Sequence, residues 1–304
     1  MPVDGLHDPT DPSRIQRTVY EVRQHFRYCY TAPIRDLRQR LVVVPRPVHG
    51  DQRVLRHSLQ VSQPHSREPI RNDAFGNVIY QVSIPKVAEV VDFDVSLTIE
   101  RLTGRGPHLE ATATQALSGY LLPSALTQPD AALRAVAGEL ASSGESGSDL
   151  ARTVGGWVYQ HMSYSFDRTG VRTTAGQALA ARHGVCQDYA HLMLTLCRLL
   201  GLPARYVSGH LVGEGGTHAW VEVLQPASGP AVEVLRPASG PAVEILAWDP
   251  THDRPADFRY LTVAVGRDYG DVAPVSGTYS GPHAGRLWTT RRVDMAHVEQ
   301  QIAA

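Results

Sequence analysis

One nineteen-residue stretch constrains this chain more than any other. His183 to Gly201 reads HGVCQDYAHLMLTLCRLLG. From Gln187 on, apolar side chains recur at Ala190, Met193, Leu194, Cys197 and Leu200, the three- and four-residue spacing of an amphipathic helix. Gly201 is a natural stop, with Pro203 just beyond it. Cys186 falls in the first turn of that helix. A thiol there feels the positive end of the helix dipole, which favours thiolate, the nucleophilic form. Backbone N–H groups at a helix start can also hold a developing oxyanion.

A reactive cysteine needs a base, and the base needs a group that orients it. Downstream, Thr217-His218-Ala219-Trp220-Val221-Glu222-Val223 alternates like a strand, with His218 at its head. Further on, Ala247-Trp248-Asp249-Pro250-Thr251 reads as a second strand ending in an acid. The chain order is Cys, His, Asp. If these two strands are neighbours, Asp249 can hold the ring of His218 towards Cys186. Strand alternation suggests that Trp220 and Trp248 lie opposite His218 and Asp249 as supports.

Four blocks, GVCQDYA, LGLPARYVSGH, HAWVEV and WDPT, occur in this order. Together they resemble the bacterial transglutaminase-like superfamily. The resemblance implies that thiol, imidazole and carboxylate map onto Cys186, His218 and Asp249. It implies an α+β fold: a β-sandwich-like N-terminal domain, then a papain/transglutaminase-like core whose helix-borne cysteine packs on an antiparallel sheet. Nearby polar groups are weaker candidates for substrate binding. Gln187 is placed to assist an oxyanion. Asp188 could meet a substrate amine but would oppose thiolate if it pointed at Cys186, so it is expected to point elsewhere. Tyr164 precedes the cysteine at about the distance where the family often carries a tyrosine-bearing strand.

The rest of the chain fits this frame. A length of 304 residues suits one large or two ordinary domains. Residues 1–13 are polar and rich in Pro and Asp, as expected of a disordered leader. Residues 14–122 carry short strand-like runs, including Thr18 to Val22, Phe26 to Tyr30 and Leu41 to Val44, separated by turns such as DAFGN at 73–77. The LVVVP strand and the D-x-F-G-N turn resemble the N-terminal region that accompanies bacterial transglutaminase-like cores. Residues 123–280 form the expected core. There 120–129 reads as a linker, 130–141 and 149–162 as helices, the second weakened by Gly155-Gly156, and Thr174 as an N-cap. Residues 281–304 supply a C-terminal strand and tail.

An eleven-residue unit, VEVLQPASGPA, recurs almost unchanged at 232–242 and begins a third time at Val243. Copies in 221–242 therefore lie between His218 and Asp249. If all three copies paired in sequence, the acid would sit two strands from the histidine. The expectation is that the first and last copies pair directly and the middle one is extruded. Its Pro-Ala-Ser-Gly-Pro tracts suit turns.

Composition excludes several classes. A net charge of −1 offers no nucleic-acid signature. Lys86 is the sole lysine, so the chain presents few amines for cross-linking itself. Three cysteines, Cys29, Cys186 and Cys197, make no disulfide framework. Their spacing is not that of a zinc knuckle, even with His183, His191 and His218 considered, so no metal and no cofactor are expected. No apolar run reaches membrane-spanning length. The expectation is a cytoplasmic protein acting on a protein or peptide substrate with an amide or glutamine side chain, without nucleic-acid or membrane partners. Hydrolysis is slightly favoured over amine transfer, an inference from the resemblance. A binding scaffold with a relic core is the alternative of another class, and nothing in the chain predicts an oligomeric state.

Overall fold

The computed structural model describes residues 15–102, 108–111, 114–166, 168–227, 242–281 and 284–300. The expected leader and all but the last residue of the middle repeat copy lie outside these residues.

The N-terminal half supplies strands β1 (Ile15–Cys29), β2 (Ile34–Leu41), β3 (Val48–His49), β4 (Gln52–Val61), β5 (Ser66–Arg67), β6 (Arg71–Asn72), β7 (Val78–Val87), β8 (Val90–Leu102) and β9 (His108–Ala111). Helices α1 (Thr114–Leu121), α2 (Ala131–Ala141) and α3 (Gly147–His161) follow, then β10 (Ser163–Tyr164), α4 (Ala175–Ala181), β11 (His183–Gly184) and α5 (Cys186–Leu199). The core sheet comes from β12 (Ala204–Leu211), β13 (His218–Pro226), β14 (Ala242–Asp249), β15 (Arg254–Pro255) and β16 (Tyr260–Gly266). A short helix α6 (Tyr269–Val272), β17 (Val275–Ser280) and β18 (Arg286–Gln300) close the chain.

The architecture is α+β with antiparallel sheets, as expected. Two sheets, ordered β18-β1-β8-β4-β3 and β17-β2-β7-β5, form the sandwich around Phe26, Leu37, Ile84, Phe93 and Leu97. Its sheets are completed by the last two strands of the chain, so the two ends are interleaved. The predicted pair of strands at 18–22 and 26–30 is in fact the single strand β1. Nothing between them breaks the alternation, and Tyr20, Val22, Gln24 and Phe26 are all buried. The predicted strand at 41–44 is also corrected. The strand lies before it, and Val42 to Val44 run on as buried connecting chain, with the Val42 N–H bonded to Pro274 O at 2.9 Å.

The core places α5 against β13, with α2, α3 and α4 around it. Residues 187–198 of α5 are all buried, so the helix is central and its sequence apolar well beyond one stripe. Ala219, Val221 and Val223 of β13 share its cluster. The expected linker begins later than read from sequence. Tyr120 belongs to α1 and is buried, and its carbonyl accepts from Arg198 Nε at 3.0 Å. The glycines of α3 are not mere weak points. A Cβ at Gly155 would lie 2.3 Å from Trp248 Nε1, so that position must be bare for helix and sheet to approach.

The sandwich grips the core sheet through buried side-chain amides. Gln52 donates to Thr262 O at 2.8 Å and accepts from Thr262 N–H at 2.9 Å. Asn77 does the same with Val265, at 2.7 and 2.8 Å, while Asp73 holds the turn by accepting from the N–H groups of Phe75 and Asn77. The D-x-F-G-N turn is thus a clamp on β16.

Candidate active site

Three local devices deliver the cysteine. Thr174 caps α4 with Gln177 completing a capping box, and Arg182 ends that helix in the left-handed conformation, turning the chain into β11. Strand β10 pairs in parallel with β11, which brings Tyr164 opposite Gly184. At the start of α5, Asp188 reaches back to accept from the Val185 N–H at 2.9 Å. Valine has no side-chain acceptor, so only half of a capping box forms. Gly184 permits this, since a Cβ there would sit 2.5 Å from Asp188 Oδ2.

Cys186 is half-buried at this helix start, its Sγ 3.9 Å from Thr217 O. His218 heads β13 and is buried. Its Nε2 donates to Asp249 Oδ2 at 2.7 Å. Strands β13 and β14 are direct neighbours, with Val221 opposite Trp248 and Pro226 opposite Val243. The pairing expected across the repeat is therefore the one observed, and it seats Asp249 beside His218.

Asp249 is fully buried and densely satisfied. Its Oδ2 also accepts from His252 Nδ1 at 2.7 Å and from the Tyr260 hydroxyl at 2.8 Å, while Oδ1 accepts from the Thr251 N–H at 2.8 Å. Burial alone would raise its pKa, but the hydrogen bonds from His218 and His252 outweigh burial and the net direction is down. For His218, burial alone would lower the pKa. The bond to Asp249 and contacts with Cys186 and Glu214 outweigh it, so the ring favours imidazolium. The Tyr260 hydroxyl in turn accepts from Arg254 Nε at 2.9 Å.

The weaker candidates lie at different places. The Tyr164 hydroxyl, pushed up to about 12 chiefly by burial, faces the Cys186 backbone amide. Gln187 is turned away from the thiol, its amide bonded to Gly170 O at 3.4 Å. Asp188 also points away from the thiol, bonded to the Thr169 hydroxyl at 2.7 Å as well as to Val185. Burial raises its pKa. The tryptophans divide. Trp248 lies in the cluster beneath α5, opposite Asp249. Trp220 is two residues from His218 and so on the same face, its ring 6.4 Å away and nearly parallel. This corrects the expectation that both lie opposite the polar residues.

Glu214, His252 and Tyr260 went unmarked in the sequence. Glu214 lies four residues before His218 in the loop, its Oε2 3.2 Å from His218 Nδ1 and its Oε1 3.5 Å from His252 Nε2. The contact with His218 lowers its pKa. The signal available was slight: an acid inside GEGGTH and a histidine three residues after Asp249. A pocket of about 850 Å³ opens on this cluster, walled by Tyr159, Tyr164, Phe166 and Tyr189 on one side and by Glu214 and His252 on the other.

The transglutaminase-like superfamily core profile matches residues 134–229, and the bacterial transglutaminase-like N-terminal region matches residues 20–100. The chain belongs to the transglutaminase-like superfamily. The core match holds Cys186 and His218 and stops before Asp249. An uncharacterised protein of Mycobacterium leprae is 34% identical over 177 residues, 55% of this chain and 57% of that protein. An uncharacterised protein of Mycobacterium tuberculosis H37Rv is 34% identical over 140 residues, 42% of this chain and 41% of that protein. The chain thus spans about half the length of the curated relatives it matches. A solved structure from Cytophaga hutchinsonii, described as a candidate cysteine protease, superposes with a TM-score of 0.72 at 19% identity over 95% of this chain and 94% of that one. That likeness shows a shared fold over nearly all of this chain. Fold and family together are those of cysteine-based enzymes.

Proposed function

We propose that this transglutaminase-like protein is a thiol acyl-transfer enzyme acting on amide or peptide carbonyls, with Cys186 as nucleophile, His218 as acid and base, and Asp249 as the group that orients the ring. The observation that carries this reading is the buried His218–Asp249 bond at 2.7 Å, beside a half-buried thiol at a helix start. The Cys186 thiolate, whose proton already rests on the His218 imidazolium, forms the bond to the carbonyl carbon as the carbonyl π-bond opens to an oxyanion. The Cys186 N–H meets the oxyanion, in competition with the Tyr164 hydroxyl that faces it. His218 gives its proton to the departing nitrogen, which leaves as ammonia or an amine, and a thioester remains. A second nucleophile then loses a proton to His218 and releases the acyl group. Tyr164 lines the substrate path in this reading, and Gln187 and Asp188 hold the 169–170 loop in place.

We take water as the second nucleophile and hydrolysis as the main reaction. Transfer to an amine, which would cross-link glutamine to a primary amine, has one observation in its favour. Glu214 places a carboxylate in an aromatic-walled pocket beside the thiol, a setting suited to an ammonium group. The three cysteines, all free, suit a cytoplasmic setting. Among the described residues, no helix is long and apolar enough to cross a membrane.

Glutamine-containing peptides, incubated with the protein in a chelator with and without a primary amine, test the reading. Release of ammonia with conversion of Gln to Glu supports hydrolysis. Incorporation of the amine supports transfer. Neither product from a panel of peptides and protein substrates, with Cys186 intact, overturns the enzyme reading.

A further inference from the structure

Asp249 organises two histidines at once. Its Oδ2 accepts from His218 Nε2 and from His252 Nδ1, each at 2.7 Å. Those bonds fix both rings, and the remaining nitrogens, His218 Nδ1 and His252 Nε2, turn towards one carboxylate. Glu214 Oε2 is 3.2 Å from the first and Glu214 Oε1 is 3.5 Å from the second. His218 Nδ1 is buried and makes no hydrogen bond of good geometry. The Cys186 Sγ lies 3.9 Å from the carbonyl oxygen of Thr217, the residue just before His218.

Four donors of the kinds that zinc takes, a thiol, two imidazoles and a carboxylate, gather around His218. Zinc bound at about 2.0–2.1 Å to nitrogen and oxygen sets neighbouring ligand atoms about 3.4 Å apart. The Oε2–His218 Nδ1 separation is close to that spacing, and the other carboxylate oxygen, Oε1, is the one nearer His252. Zinc-ligating histidines usually donate their far N–H to a carboxylate, which fixes the tautomer and raises ligand basicity. Here a single carboxylate does so for both rings. Among the described residues, His218, Asp249 and His252 form a cluster with possible ligand atoms within 4.8 Å of one another. Asp249 is the poor ligand of that set. Its Oδ2 already accepts three hydrogen bonds and it is sealed from solvent, whereas Glu214 is 39% exposed and lines the pocket that gives an ion its entry.

We propose that Cys186 Sγ, His218 Nδ1, His252 Nε2 and the Glu214 carboxylate form a binding site for a divalent metal of the zinc class, and that the bound ion holds the enzyme inactive. The proton held between Cys186 and His218 leaves to solvent as the sulfur–zinc and Nδ1–zinc bonds form, since both donors bind the ion only in their deprotonated forms. Thiolate and carboxylate together neutralise the ion. His218 can then no longer exchange a proton with Cys186, so binding and catalysis exclude each other. The inhibitory half of this inference rests on the catalytic reading above; the binding half does not.

Equilibrium dialysis of the full chain with Zn²⁺ tests the site without reference to turnover. The expected result is one zinc per chain, with affinity falling by more than about tenfold in Glu214→Gln and in Cys186→Ser. Glu214 is partly exposed, so its replacement spares the core. Co²⁺ in place of zinc should show thiolate-to-cobalt charge-transfer absorption in the wild type and lose it in Cys186→Ser. Zinc should also protect Cys186 from iodoacetamide, and a chelator should restore labelling. No stoichiometric zinc, equal affinity in the wild type and both variants, or cobalt without the thiolate band would overturn the proposal. Slow labelling of Cys186 in chelator alone would instead count against the catalytic reading, while the dialysis result would still decide the metal site.

Discussion

Helix α5 carries a cysteine in its first turn and another in its last, and the two side chains live in opposite chemical worlds. Cys186 is half-buried, at the positive end of the helix, its Sγ 3.9 Å from the carbonyl of Thr217 beside the His218 ring that favours imidazolium. Cys197 is fully buried among apolar groups, and burial pushes its thiol up to about 12. Residue type and helix are the same. Place along the helix and the company at each end set one thiol up for the nucleophilic role proposed above and leave the other a small hydrophobe.

The comparison breaks most severely if Asp249 is lost. Asp249→Asn leaves the imidazolium of His218 without its buried counter-charge and should cost about 3–5 kcal/mol of stability by chemical denaturation. It should also slow alkylation of Cys186 towards the rate of an ordinary thiol. The pH dependence of that cost has a definite shape. His218 has its pKa raised in the folded state, so its contribution is complete below about pH 6.5 and fades as pH rises through the folded value. Asp249 has its pKa lowered, so its contribution holds above about pH 4 and fades as pH falls. The stability gap between wild type and Asp249→Asn should therefore be widest between about pH 4 and pH 6.5. A gap independent of pH would mean that the pair is not charged.

His218→Ala comes next. At pH 6 an ordinary thiol is only about 0.3% thiolate, so loss of the imidazolium should slow Cys186 alkylation by about 10²-fold. Labelling of Cys29 should not change. A smaller effect is expected at Gly155, where the methyl group of Gly155→Ala would press on Trp248 and cost about 1–3 kcal/mol in thermal unfolding. Cys197→Ala should do least. It leaves a cavity of about one sulfur atom, costs about 1 kcal/mol, and leaves alkylation of Cys186 as it was. A large fall in Cys186 reactivity on that change would dissolve the distinction between the two ends.

The sequence made one end of this helix legible and left much around it obscure. Cys186, His218 and Asp249 stood out because each heads or ends an element with a strong pattern, and chain order made a triad geometrically reasonable. The pairing of β13 with β14 followed from asking where Asp249 had to be. Glu214 and His252 were missed because a loop acid and a turn histidine carry no periodicity. Only the folded loop brings them to His218. Trp220 was misplaced by an error of parity, since residues two apart on a strand share a face. Gly155 read as a weak helix position because the demand for a bare backbone comes from Trp248, nearly a hundred residues away. The break expected inside β1 was drawn from a local lapse in apolar content, where burial of Gln24 kept the alternation intact. The C-terminal strand runs from Arg286 to Gln300 and takes up most of the segment expected as strand and tail, because its pairing with β1 supports a segment whose own composition is polar.

The most direct test is the rate of iodoacetamide labelling at each cysteine, followed by intact mass and peptide mapping across pH in the presence of a chelator. The account predicts that at pH 6 Cys186 in the wild type reacts about 10²-fold faster than Cys29 or Cys197, and that His218→Ala removes the advantage. Equal rates at the three cysteines, or a fast Cys186 indifferent to His218, would contradict it.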